Sequence, residues 1–156
     1  MRTMKNVKPS VAFEPGSYVD FTGYINCNGV EAMVRNAMFN LRTDGYVTWH
    51  SGVWLDGKWK KGKWLYGTWM NGTWENGIFK DGKWKNGIWN KGEWHDGIWY
   101  NGIWNYGIWQ YGTWKRGVWN YGHWHAGSWM GGEWNDGWWM DADGLIHFEA
   151  PYKRKS

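Results

Sequence analysis

The chain has 156 residues and a mass of 18.5 kDa, the size of one domain with room for a single packed core. Aromatic residues make up 21%, with 19 Trp and 24 Gly, which argues against disorder, and the single cysteine, Cys27, excludes an intramolecular disulfide framework. The net charge of +4 permits an anionic partner without demanding one, and no stretch approaches the length of a membrane-spanning helix.

In chain order, residues 1–17 form an N-terminal segment. Its start, MRTMKNVKPS, has no apolar run behind its positive charges, so no secretory signal is expected there. Residues 18–50 read as a β-rich N-terminal cap, with strand-like runs and turn signals at Asn28-Gly29 and Asp44-Gly45. Phe39 to Trp49 reads as a hairpin, and Cys27 as a buried thiol. A helix over Val30–Arg42 is the alternative, because Val34, Met38 and Leu41 share a helical face. Residues 51–139 are a repeat array. Residues 140–150 break its register with Asp-Ala-Asp-Gly and are expected to cap it, Leu145, Ile146 and Phe148 covering the last Trp layer. Residues 151–156 are a basic tail.

The array repeats every five residues. Glycine recurs without a miss from Gly52 to Gly137, giving 18 units, and two residues after each glycine stands Trp, replaced only by Phe79. The residue before glycine is Asn or Asp in eight units and Tyr in four (Tyr66, Tyr106, Tyr111 and Tyr121). Glycine and β-branched residues oppose helix. Each unit reads instead as an extended Gly-x-Trp piece followed by a turn, with Gly and Trp on one face and the residue between them on the other. Trp suits the interior and the intervening residue suits solvent.

An antiparallel meander of three-residue strands is one solution, but it fails on hydrogen-bond parity. The first and third residues of such a strand face the same neighbour, whereas two-residue turns at both ends require opposite neighbours. A β-solenoid makes all units equivalent. Ile78, Ile98 and Val118 echo at 20 residues, so a four-sided coil of about 20 residues, with about four and a half coils in all, is the expectation. Caps are needed because an open coil exposes strand edges and core.

The unit resembles that of the pentapeptide-repeat proteins, whose repeat has a small residue, a polar residue, Leu or Phe, and two turn residues. Ala32-Met33-Val34-Arg35-Asn36 and Ala37-Met38-Phe39-Asn40-Leu41 fit that pattern loosely and in register with the array. In the array itself Gly stands for the small residue and Trp for Leu or Phe. The resemblance implies a right-handed square β-helix. Family members are diverse, several being non-enzymatic interaction proteins and some DNA mimics that inhibit nucleic-acid enzymes.

Few residues point to chemistry. The array supplies no nucleophile–base grouping and no phosphate loop, so an enzyme, a cofactor and a small-molecule substrate are not expected. Residues 50–91 hold eight Lys against three acids, and residues 92–150 hold seven acids against Lys115 and Arg116. On a 20-residue coil Lys60 stacks below Lys80 and Lys63 below Lys83, so that Lys58, Lys60, Lys63, Lys80 and Lys83 form a candidate anion-binding patch. The same coil places Ile78, Ile98, Val118 and Trp138 in one outward apolar stripe, a candidate partner or self-association interface. His123 and His125 flank Trp124 but are too few for a metal site and read as surface histidines.

The expected function is therefore a rigid structural or interaction protein. Partners would be protein or self, with an anionic partner the lesser case and no membrane. By analogy with the small repetitive β-solenoids of phage fibres and spikes, its setting would be a virion if phage-encoded, and otherwise the cytoplasm. The alternatives are an inhibitor of a nucleic-acid enzyme, which would need a strongly acidic surface, and a carbohydrate-binding module, which would need exposed Trp.

Overall fold

The computed structural model describes residues 19–27 and 30–151. It is all-β, a solenoid of about six turns around a buried Trp cluster. Two long strands precede the coils, β1 (Val19–Cys27) and β2 (Val30–Leu41), so the segment for which a helix was the alternative is strand. The third, β3 (Val47–Trp59), bends through the whole first coil. Then come β4 (Gly62–Trp64) and fourteen two-residue strands, one per pentapeptide, from β5 (Thr68–Trp69) to β18 (Glu133–Trp134). The last two are β19 (Trp138–Met140) and β20 (Ile146–His147).

The coil has three sides, not four. Each strand from β4 to β16 pairs in parallel with the strand three units on, as in Ile98↔Thr113 and Trp99↔Trp114, so one coil is fifteen residues. Side one begins with Val47–Trp49, side two with Val53–Trp54 and side three with Lys58–Trp59. The coil of about 20 residues expected from the sequence is thereby corrected. Its support was a 20-residue echo among Ile78, Ile98 and Val118. β-branched residues suit the outward strand position on any side, so that echo carried no information about coil size.

The rings explain the number of sides. Trp104 stacks on Trp89 and on Trp119 at 4.8 Å with interplanar angles of 5°. It meets its chain neighbours Trp99 and Trp109 edge to face, at 5.9 and 6.0 Å and 74° and 71°. A ring separation of about 3.5 Å within a 4.8 Å step requires a ring tilt of about 43°. Three such rings set 120° apart meet at about 72°, whereas four set 90° apart would meet at about 58°. The observed angles are those of the three-fold arrangement, which fills the axis with no central gap. From Trp49 to Trp129 every array ring is buried.

Backbone and side chains close each corner. Ile98 N donates to Gly82 O at 2.9 Å, and Tyr100 N donates to Trp84 O at 2.8 Å, two ladder bonds per unit. Where Asp56, Asn76, Asp81, Asp96 or Asp136 precedes it, the glycine N–H donates to that residue's side-chain oxygen at 2.7–2.9 Å. Gly102 has φ +125°, and a Cβ there would land on the carbonyl oxygen of Gly87. Glycine spares the backbone of the preceding coil first and the rings only second.

On side three the indole N–H groups of Trp59, Trp74, Trp89, Trp104 and Trp119 donate to corner carbonyls at 3.1–3.2 Å. On the other sides Trp109 and Trp114 donate to Ala126 O and Gly131 O at 3.1 and 3.0 Å, whereas Trp49, Trp54, Trp64, Trp69, Trp84, Trp94, Trp99 and Trp129 find no partner. Ring stacking orients these indoles at the expense of a hydrogen bond.

Beneath the first coil β2 runs antiparallel to β3, with Phe39↔Trp49 and Val34↔Trp54 in register. Phe39 stacks on Trp49 at 5.7 Å and continues the ring column. β1 pairs antiparallel with β2, making a second layer. The side chain of Cys27 lies outside the described residues, as do residues 1–18 and 152–156.

Candidate interaction surface

The interior is full, so whatever this molecule recognises it meets with outward side chains. Each side carries one central row, the residue between Gly and Trp, repeated at the strand spacing.

Side one reads Lys63, Ile78, Glu93, Ile108, His123, Trp138. Side two reads Thr68, Lys83, Ile98, Thr113, Ser128. Side three reads Lys58, Thr73, Ile88, Ile103, Val118, Glu133.

The apolar stripe expected on a 20-residue coil does not form. Ile78 lies on side one, Ile98 on side two and Val118 on side three, and Trp138 returns to side one. A 20-residue step advances four sides on a three-sided coil, so each residue moves to the next side. The lysine patch disperses for the same reason. Lys58 is on side three and pairs with Glu75 at 2.7 Å, while Lys60 sits at the following corner. Lys63 and Lys80 belong to side one, where Lys80 Nζ lies 3.4 Å from His95 Nδ1, and Lys83 is on side two between Thr68 and Ile98.

Other rows take their place. On side three Thr73, Ile88, Ile103 and Val118 form a continuous β-branched row. Beside it Asn105 Nδ2 donates to Asn90, Asn120 to Asn105 and Asn135 to Asn120, at 2.8–2.9 Å. At the next corner Tyr106 and Tyr121 stack at 5.4 Å. On side two Lys85 and Lys115 hold Tyr100 between them, 3.7 and 4.6 Å from its ring centre. A fifteen-residue comparison of the sequence contains all of these rows; a twenty-residue one contains none.

The histidine pair sits on side one. The rings of His123 and His125 are 3.9 Å apart, and Trp138 stacks on His123 at 3.5 Å. Burial and then the neighbouring His125 hold the His123 pKa below its ordinary value. Among the described residues no group of three or more His, Cys, Asp or Glu is placed to hold a metal ion, and no helix is long and apolar enough to cross a membrane.

The C-terminal end differs from what the sequence led us to expect. Leu145, Ile146 and Phe148 do not cover the last Trp layer; they are 61%, 52% and 68% exposed. The segment covers it with backbone instead. Trp134 Nε1 donates to Phe148 O and Trp139 Nε1 to Glu149 O, both at 2.8 Å, and Ala150 and Pro151 are the buried residues. His147 stacks on Trp139 and bonds Asp141 at 2.7 Å and Glu149 at 3.0 Å. The hydrogen bond from His147 and the backbone N–H of Leu145 lower the Asp141 pKa to about 2, and Asp141 in turn raises that of His147.

No family model, no curated protein and no solved structure matches this chain.

Proposed function

We propose that this chain is a non-enzymatic, rigid structural or interaction element. The observation that carries the reading is the filled axis: the array rings from Trp49 to Trp129 are 0–2% exposed. Every side chain able to meet a partner stands outward on a hydrogen-bonded ladder that repeats at each coil. Such a rod holds a surface in place at little entropic cost. Its partner is a protein or another copy of itself, with an anionic partner the lesser case, and its setting is a larger assembly, a virion if the chain is phage-encoded and otherwise a cytoplasmic one. Kinship to the pentapeptide-repeat proteins extends to the five-residue unit; the three-sided coil departs from their square one.

The carbohydrate-binding alternative loses its main support, since only Trp134, Trp138 and Trp139 among the indoles are partly exposed. Mimicry of nucleic acid is disfavoured by the +4 charge. The test is cross-linking in native cells followed by size fractionation. Recovery in stoichiometric amount within an assembly far larger than 18.5 kDa is expected. A free 18.5 kDa chain in those cells would overturn the reading.

A further inference from the structure

We infer that two copies of this chain pair flank to flank through side three, with their rods antiparallel. This deepens the structural reading above and rests on it. Side three is six layers deep, from residues 56–61 to residues 131–136. Its central row has Lys58 at one end, Glu133 at the other, and Thr73, Ile88, Ile103 and Val118 between them. Ile88 and Ile103 are each 39% exposed. The amide ladder fixes Asn90, Asn105 and Asn120 beside the row, and β-branched side chains are stiff at χ1. The face is thus set before any contact, and pairing has few side chains to order.

A two-fold axis lying in this face and crossing the rods lays each column on itself in reversed order. Ile88 of one copy then opposes Ile103 of the other, Thr73 opposes Val118, and Lys58 opposes Glu133. Apolar meets apolar at the centre and opposite charges meet at the ends. The other sides lack this symmetry. On side one a reversed row leaves Glu93 against Ile108 or against itself. On side two, where Val53 begins the row, it sets Lys83 against Ile98.

Charge selects the antiparallel arrangement over the parallel one. Layer by layer along side three, corners included, the net charges are +2, −1, +1, 0, +1 and −2. The first comes from Asp56, Lys58, Lys60 and Lys61, and the second from Glu75. Lys91 supplies the third, Arg116 the fifth, and Glu133 with Asp136 the last. Reversal sets +2 against −2 and −1 against +1, and the remaining +1 meets the neutral layer. Lys58 reaches Glu75 of its own copy at 2.7 Å, which leaves Lys60 and Lys61 for Glu133 and Asp136 of the other. Two rods pointing the same way would set every charged layer against its own sign. Six layers at about 4.8 Å and five residues at about 3.3 Å each make a face of about 29 by 16 Å, so the pair buries about 1,000 Å² in all. That is the size of a reversible contact, and being isologous it closes at two copies.

The test follows the full chain by sedimentation over a concentration series at about 0.05 M and about 0.5 M salt. A monomer–dimer equilibrium is expected, tighter at low salt. Ile103→Lys places a charge at the centre of the face and weakens pairing at least about tenfold, whereas Ile98→Lys on side two leaves it unchanged. Glu133→Lys with Asp136→Lys turns the last layer to +2, and Lys60→Glu with Lys61→Glu turns the first to −2. Each of these variants weakens pairing with itself about tenfold, and an equimolar mixture of the two pairs again. Lys already precedes the glycine at Lys61 and Lys91, so that corner accepts Asp136→Lys. An unshifted Trp emission maximum verifies that each variant is folded. A chain monomeric at low salt throughout the series, growth beyond two copies, Ile103→Lys pairing like the parent, Ile98→Lys dissociating like Ile103→Lys, or a mixture that stays monomeric would each overturn the proposal. A monomer that is nonetheless recovered in a large native assembly removes this inference alone. A dimer in vitro from a chain found in its cells as nothing larger than that pair removes only the functional reading.

Discussion

The two ends of the solenoid solve one problem differently. Both must cover a layer of indoles and a set of strand edges. At the N-terminal end β2 lies in register beneath the first coil, with Val34, Ala37 and Phe39 buried and Phe39 stacked on Trp49. At the C-terminal end eleven residues, 141–151, supply two backbone carbonyls, one short antiparallel pair and a histidine on Trp139. Trp49 is fully buried, whereas Trp134 and Trp139 are only partly so. A strand that continues the ladder satisfies edge and core together; a loop that crosses the end satisfies the indoles and leaves two edges exposed.

The largest expected effect sharpens this contrast. Trp104→Ala removes a ring stacked on both faces and should cost about 3–5 kcal/mol, while Trp139→Ala at the thinly covered end should cost less than half as much. Chemical denaturation of both variants measures it, and equal losses would erase the distinction between middle and end.

Next comes the backbone. Gly102→Ala meets the Gly87 carbonyl at φ +125° and should cost more than about 1 kcal/mol. Gly131 has no positive φ, and the nearest atom to an added Cβ is 3.7 Å away, so Gly131→Ala should change stability by less than about 0.5 kcal/mol. A neutral Gly102→Ala would contradict the close approach of successive coils.

Smaller again is the amide ladder. Asn105→Ala breaks the bonds to Asn90 and to Asn120 and should cost about 1 kcal/mol, read as a lowered Tm. Asn71→Ala, at an exposed corner, serves as the control with a smaller effect.

The C-terminal cap should also depend on pH. The pKa of His147 is raised above 6.5, so its contribution is full below about 6.5 and is lost as pH rises through the folded value. Asp141 is lowered from 3.8 to about 2, so its contribution is full above about 4 and is lost as pH falls through about 2. Hydrogen exchange at the Trp134 and Trp139 indoles should be slowest between those limits, about pH 4 to 6.5. Equal protection at pH 5 and pH 9 would remove His147 from the cap.

Much of this was legible in the residues. The Gly-x-Trp spacing announced inward rings and outward intervening residues, and Phe39 to Trp49 announced the hairpin that begins the first coil. The candidate surface was not legible, because its rows depend on how many units make a coil. Lys58, Lys60, Lys63, Lys80 and Lys83 looked like one patch, and Ile78, Ile98, Val118 and Trp138 like one stripe, only on a four-sided coil. At the C-terminal end hydrophobicity misled. By type Leu145, Ile146 and Phe148 suit a cover for the last Trp layer, yet the last indoles needed carbonyl acceptors, and backbone supplied them.

The sequence by itself determined the local unit: period five, extended Gly-x-Trp, a polar corner and a buried ring. Those follow from properties each unit carries within its own five residues. Only the tertiary structure decided that three units close a coil. Eighteen near-identical units are compatible with several coil sizes, and the choice is made by contact between rings fifteen residues apart. Indoles tilted to stack at 4.8 Å meet their chain neighbours at the angle that closes three sides and fills the axis.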